Sequence, residues 1–149
     1  MNPIDQMIQR LRAAGRRAFM PFVTAGDPDV DSTVAVARSL VRGGADLLEV
    51  GFPYSDPIAD GPVVQASYTR ALDRGLKIAS VFDAIRVATQ TPGFQTPVLG
   101  MVSYSLVHRR GPAAFVAQAK DAGLSGLIVP DLVADEADEL AAVCRHADC

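Results

Sequence analysis

Four short apolar runs punctuate the chain: RAFMPFVTAG (17–26), ADLLEVGFP (45–53), TPVLGMVSYS (96–105) and SGLIVPDL (125–132). None alternates cleanly between apolar and polar positions. Runs of that kind predict strands covered on both faces, as in parallel sheets. Between them the apolar period lengthens to that of a helix. Ile4, Met7, Ile8 and Leu11 share one face after an Asn2–Pro3 start. Val30, Val34, Ala37 and Val41 form a stripe that Asp29 or Asp31 can cap and Gly43–Gly44 can stop. Further helical patterns cover 62–75, 77–90, 112–123 and 133–147. An initial helix followed by four βα units predicts a parallel α/β architecture with right-handed crossovers. Pro21 lies inside the first run, where proline removes a ladder donor, so an irregularity or an unpaired position is expected there.

Four βα units fit a small doubly wound sheet or part of an eight-fold barrel. No GxGxxG follows the first run, so the dinucleotide-binding version has no support. A complete (β/α)8 barrel takes roughly 250 residues, and this chain has 149.

Composition narrows the function classes. Hydrophobic residues make up 49% and charged residues 21%, an ordinary globular balance. The formal net charge of −3 gives no reason to expect nucleic acid. The basic cluster Arg10, Arg12, Arg16 and Arg17 reads as a solvated helix face. No apolar run reaches membrane-spanning length, and the N-terminus lacks the apolar core of a secretory signal. Cys144 and Cys149 form neither a disulfide framework nor a metal-ligand pattern, and the expected compartment is a reducing cytoplasm.

The candidate chemistry concentrates in LLEVGFPYSDPIADGP (47–62). Alternation puts Leu47, Glu49 and Gly51 on one face of the second strand. A carboxylate in a dry strand interior is costly unless paired or protonated. The plain alternative is an ion pair with a lysine or arginine of a neighbouring strand, but the other strand interiors hold none. A glutamate toward the C-terminal end of a parallel strand suits acid/base chemistry. Asp60 precedes Gly61–Pro62 and a helix, so it reads equally as an N-cap. Asp56 before Pro57 reads as turn chemistry. Phe22, Tyr104 and Leu127 lie near strand ends, where each taken singly is more often core than ligand. His108 beside Arg109 and Arg110 reads as a surface histidine, and His146 has no partner pattern.

LEVGFPYSDPIADG (48–61) resembles the signature of the tryptophan synthase alpha chain family. PFVTAGDP (21–28) is similar to that family's first strand and turn, and GLIVPDL (126–132) to its fourth. The resemblance implies a (β/α)8 TIM barrel, with residues 1–149 as a single partial domain holding an initial helix and the first four βα units. It implies a lyase that splits indole-3-glycerol phosphate into indole and glyceraldehyde 3-phosphate by retro-aldol cleavage. Glu49 and Asp60 fall on the family's catalytic positions. Phe22, Val102, Tyr104, Ile128 and Pro130 fall on its substrate pocket, and Tyr54, Ser55 and Asp56 on its partner interface. No metal is implied. No cofactor is implied either, since pyridoxal phosphate belongs to the beta chain of an α2β2 complex. The family's phosphate-binding loops follow later strands, so those residues are expected beyond residue 149, and little lyase activity is expected of these residues alone. One alternative remains open at this point: a non-catalytic docking or regulatory module for a beta chain. A Schiff-base aldolase is disfavoured, because Lys77 and Lys120 both fall in helical segments.

Overall fold

In the computed structural model, which describes residues 2–149, helix α1 (Pro3–Ala13) opens on Asn2. The Asn2 side chain accepts the Ile4 N–H at 2.9 Å and donates to the Ser125 carbonyl at 2.9 Å. The cap therefore also ties the helix to the start of the last strand. Four parallel strands follow: β1 (Phe22–Thr24), β2 (Leu48–Gly51), β3 (Val98–Met101) and β4 (Gly126–Ile128), in the spatial order β1-β2-β3-β4. The helices between them are α2 (Val30–Arg42), α3 (Pro62–Asp73), α4 (Ile78–Thr89), α5 (Tyr104–Arg110) and α6 (Pro112–Asp121). A 3-10 turn at Ala134–Glu136 leads into α7 (Asp138–His146).

The strand register sorts side chains onto two faces. Phe22, Glu49 and Leu99 are neighbours across β1, β2 and β3, and Thr24, Gly51, Met101 and Ile128 form a second row on the same face. We call this the inner face. Its lower end is closed by α1, whose Met7 and Leu11 are buried against Leu47, with Ile4 and Leu99 packed alongside. The opposite face carries Val23, Leu48, Val50 and Val98 into the main core beneath α2, α4 and α6. Phe52, Phe82 and Phe115 form the aromatic centre of that core, with ring centroids 5.2–6.0 Å apart. Edge and tilted contacts of this kind suit the ring quadrupoles.

Four local features depart from the sequence pattern. The first strand begins only after Pro21, whose carbonyl accepts the Glu49 N–H at 3.0 Å and whose missing N–H costs the ladder nothing. The third strand ends at Met101, because Ser103 caps a helix there by accepting the Ser105 N–H at 3.2 Å. The stretch around His108 is therefore helix α5. The last helical pattern splits into the 3-10 turn and α7. Of the two candidate caps for α2, Asp29 serves, accepting the Ser32 N–H at 2.7 Å. No helix among the described residues is long and apolar enough to cross a membrane.

Candidate active site

Glu49 stands in the middle of β2 between the buried Leu48 and Val50, and it is itself only partly buried. Its side chain shares the inner face with Phe22 and Leu99. No arginine or lysine among the described residues pairs with it. A structural ion pair therefore does not account for this carboxylate.

The loop after β2 turns sharply, with Ile58 N–H bonded to the Asp56 carbonyl at 2.9 Å and Asp60 N–H to the Pro57 carbonyl at 3.1 Å. This brings Asp60 back to the start of α3. It does not cap that helix. The N-cap is Gly61, with no side-chain bond, and Pro62 at the first helical position needs none. The Asp60 Oδ2 atom is buried without a hydrogen-bond partner. Burial pushes the Asp60 carboxyl above its ordinary range, and a hydrogen bond with the Tyr54 hydroxyl pulls it back in part. The Tyr54 hydroxyl is itself raised, by burial first and then by the charges of Asp60, Asp131 and Asp56.

The pocket residues separate by face. Phe22 and Ile128 lie on the inner face, and Phe22 packs against Gly51 so closely that a Cβ there would sit 2.5 Å from Phe22 Cζ. Pro130 follows β4 and is exposed. Val102 and Tyr104 correct the pocket expectation. Val102 is 0% exposed and belongs to the helix-side core, because residues 98, 100 and 102 alternate away from Glu49. Tyr104 starts α5 and packs against that same core, with its ring 5.8 Å from His108. Met101 holds the inner-face position instead, in register with Gly51 and Ile128.

Tyr54, Ser55 and Asp56 border a groove of about 660 Å³ whose floor includes Phe52, Val81 and Leu106. Neither Glu49 nor Asp60 lines it. Ser55 and Asp56 are exposed, and Ile58 next to them is 80% exposed.

The sequence reading missed Asp131. Its carboxylate accepts Ser103 Oγ at 2.6 Å and the Tyr104 N–H at 2.8 Å, which fixes the turn from β3 into α5. The signal was present: an aspartate inside the fourth apolar run, SGLIVPDL.

The family profile described as tryptophan synthase alpha chain matches residues 8–149. The chain belongs to the tryptophan synthase alpha chain family. It is 51% identical over 147 residues to the alpha chain of Rhodopirellula baltica, covering 98% of this chain and 53% of that one. Against the alpha chain of Laribacter hongkongensis the identity is 46%, over 97% of this chain and 54% of the relative. The crystal structure of tryptophan synthase subunit alpha from Legionella pneumophila superposes with a TM-score of 0.95 at 37% identity, over 99% of this chain and 56% of that one. A Mycobacterium tuberculosis tryptophan synthase structure gives 0.92 at 32% identity. The four parallel strands are thus part of a TIM barrel of this family. The chain spans about half the length of the curated relatives it matches.

Proposed function

We propose that this chain carries the proton-transfer half of the alpha reaction: retro-aldol cleavage of indole-3-glycerol phosphate to indole and glyceraldehyde 3-phosphate. The observation that carries the reading is a pair of carboxylates without cationic partners, Glu49 in the middle of β2 and Asp60 in the loop that follows that strand. Glu49 has no cationic partner, and Asp60 Oδ2 is buried with no partner. Both are unspent acceptors in a family whose members are lyases.

The chemistry suits their placement. Protonation of indole C3 makes the ring electrophilic, and removal of the proton from the neighbouring glycerol hydroxyl lets the carbon–carbon bond break. Its electron pair returns to the ring while the hydroxyl carbon becomes an aldehyde. Glu49 serves as the acid at C3 and as the base at the hydroxyl. Positive charge develops at the ring nitrogen meanwhile, and the Asp60 carboxylate accepts that N–H and stabilises it. The Tyr54 hydroxyl keeps Asp60 oriented. Phe22, Met101 and Ile128 offer the flat apolar wall that an indole needs. No metal or cofactor takes part in these steps, and pyridoxal phosphate belongs to the partner beta chain of an α2β2 complex. Exposed Ser55, Asp56 and Ile58 beside the adjoining groove suit the docking of that partner.

The test joins residues 1–149 to the complementary half of the Rhodopirellula baltica relative and measures indole release from indole-3-glycerol phosphate. Glu49→Gln is expected to lower the rate by about two to four orders of magnitude, the usual span for a general acid–base group. A joined chain that cleaves equally well with Glu49→Gln sinks the reading. The 149 residues assayed alone are expected to release little indole, since β1 and β4 each pair on one side only.

A further inference from the structure

Tyr68 on α3 is 1% exposed, yet its hydroxyl oxygen has no hydrogen-bond partner. Buried hydroxyls are normally satisfied, and phenylalanine would fill the same space without the penalty. Packing alone therefore does not account for a tyrosine here. The side chain is also held firmly. The preceding Ser67 shares a 2.6 Å hydrogen bond with Thr24 on β1. Two residues further on, Arg70 makes a double contact with Asp27 at 2.6 and 3.0 Å.

The hydroxyl lies directly over Gly51. A Cβ on that glycine would sit 2.6 Å from Tyr68 Oη. Gly51 shares the inner face with Glu49, one pleat repeat of about 7 Å nearer the strand's C-terminal end. The groups around that end are mostly acceptors or already engaged. Asp60 and Glu49 are carboxylates, the Tyr54 hydroxyl acts on Asp60, and the Thr24 hydroxyl is bonded to Ser67. Burial and the Asp60 charge both favour keeping the proton on Tyr68. Its O–H is a donor with nothing to donate to.

We propose that Tyr68 is a ligand-binding residue whose O–H donates to a hydroxyl or carbonyl oxygen of a polyol-bearing ligand seated on the inner face beyond Glu49. This rests on the reading of Glu49 and Asp60 as the site, and adds the donor that two carboxylates cannot supply. A ligand oxygen near Glu49 and Asp60 meets lone pairs on both, and Tyr68 gives it a proton to bind.

The test uses residues 1–149 joined to the complementary half of the Rhodopirellula baltica relative, with Glu49→Gln throughout so that the substrate stays uncleaved, titrated by NMR with two probes: indole-3-glycerol phosphate, which carries hydroxyls, and indole, which carries none. Tyr68→Phe is expected to weaken the first probe by roughly two- to tenfold, the range of one uncharged hydrogen bond, and to leave indole unchanged. Its thermal midpoint is expected to stay level or rise, because an unsatisfied polar atom is removed. Asp60→Ala should weaken both probes, since both carry the ring N–H. If Tyr68→Phe binds indole-3-glycerol phosphate as the Glu49→Gln parent does while Asp60→Ala does not, the Tyr68 inference fails and the site reading stands. A fall in thermal midpoint with Tyr68→Phe also overturns the inference, assigning the hydroxyl a structural bond. Failure of the Glu49→Gln parent to bind either probe, or binding indifferent to Asp60→Ala, overturns both readings.

Discussion

The buried carboxylate of Asp46, at the foot of β2, accepts the main-chain N–H of Phe19 at 3.0 Å across 27 residues of sequence. Phe19 lies just ahead of β1, so a side chain does there what the strand ladder does further up. Removing the acceptor leaves that N–H without its partner. Asp46→Ala should therefore lower stability by about 1–3 kcal/mol, and Asp46→Asn by less, in urea denaturation at neutral pH. The neighbouring Arg16 contributes little, being 3.7 Å away and 61% exposed. An Asp46→Ala chain as stable as the parent would show the bond to be dispensable.

Gly51 is a glycine for lack of space. A methyl there meets Phe22 Cζ at 2.5 Å and Tyr68 Oη at 2.6 Å, so the rings must shift to admit it. Overpacking of that sort usually costs about 1–3 kcal/mol. Gly51→Ala should lose that much and weaken indole binding as well, since Phe22 must turn. Intact affinity together with lowered stability would mean that the ring recovers its position.

Two aspartates should act on stability with opposite signs as pH changes. Asp27 is held below its ordinary value of 3.8, chiefly by the Arg70 hydrogen bond. Its contribution is present above 3.8 and disappears as pH falls through the lower folded value. Asp60 is raised above 3.8 by burial, so the folded state holds its proton more tightly than the unfolded chain. Stability then declines as pH rises from 3.8 through the raised value. Asp27→Asn should destabilise at neutral pH, modestly because Arg70 is 55% exposed. Asp60→Asn should stabilise there, and both differences should shrink below pH 3.8. Unfolding curves at neutral and acidic pH settle the signs.

Neither cysteine should react readily at neutral pH. Burial pushes Cys149 up to about 11, and Cys144 is raised for the same reason. Thiolate is the reactive form, so alkylation by iodoacetamide should be slow in buffer and fast in denaturant. Equal rates in the two conditions would contradict the burial of these thiols.

How much of this was legible beforehand depends on how far each feature is encoded locally. The strands and the shared face of Leu47, Glu49 and Gly51 follow from a two-residue period, and the Asn2 cap from a local pattern. The sequence reading erred where tertiary partners decide. Val102 and Tyr104 looked like the end of a strand because Val, Ser and Tyr continue an apolar run. Ser103 and Asp131 convert that run into a helix start, from 28 residues away. Asp60 read as a helix cap because its neighbours permit it, and only the folded loop puts its carboxylate elsewhere. Tyr68 carried no signal at all: its peculiarity is a missing bond.

Asp46 fastens the lower ends of β1 and β2, and Asp131 the upper ends of β3 and β4. These are opposite corners of one parallel sheet, and together they work as a diagonal brace. Parallel ladders are evenly spaced and offer no natural stop against sliding by a full pleat, a step of about 7 Å. Such a slip would tear one corner free. The brace therefore guards less against unfolding than against a folded sheet in the wrong register, where Glu49 would face the wrong neighbours.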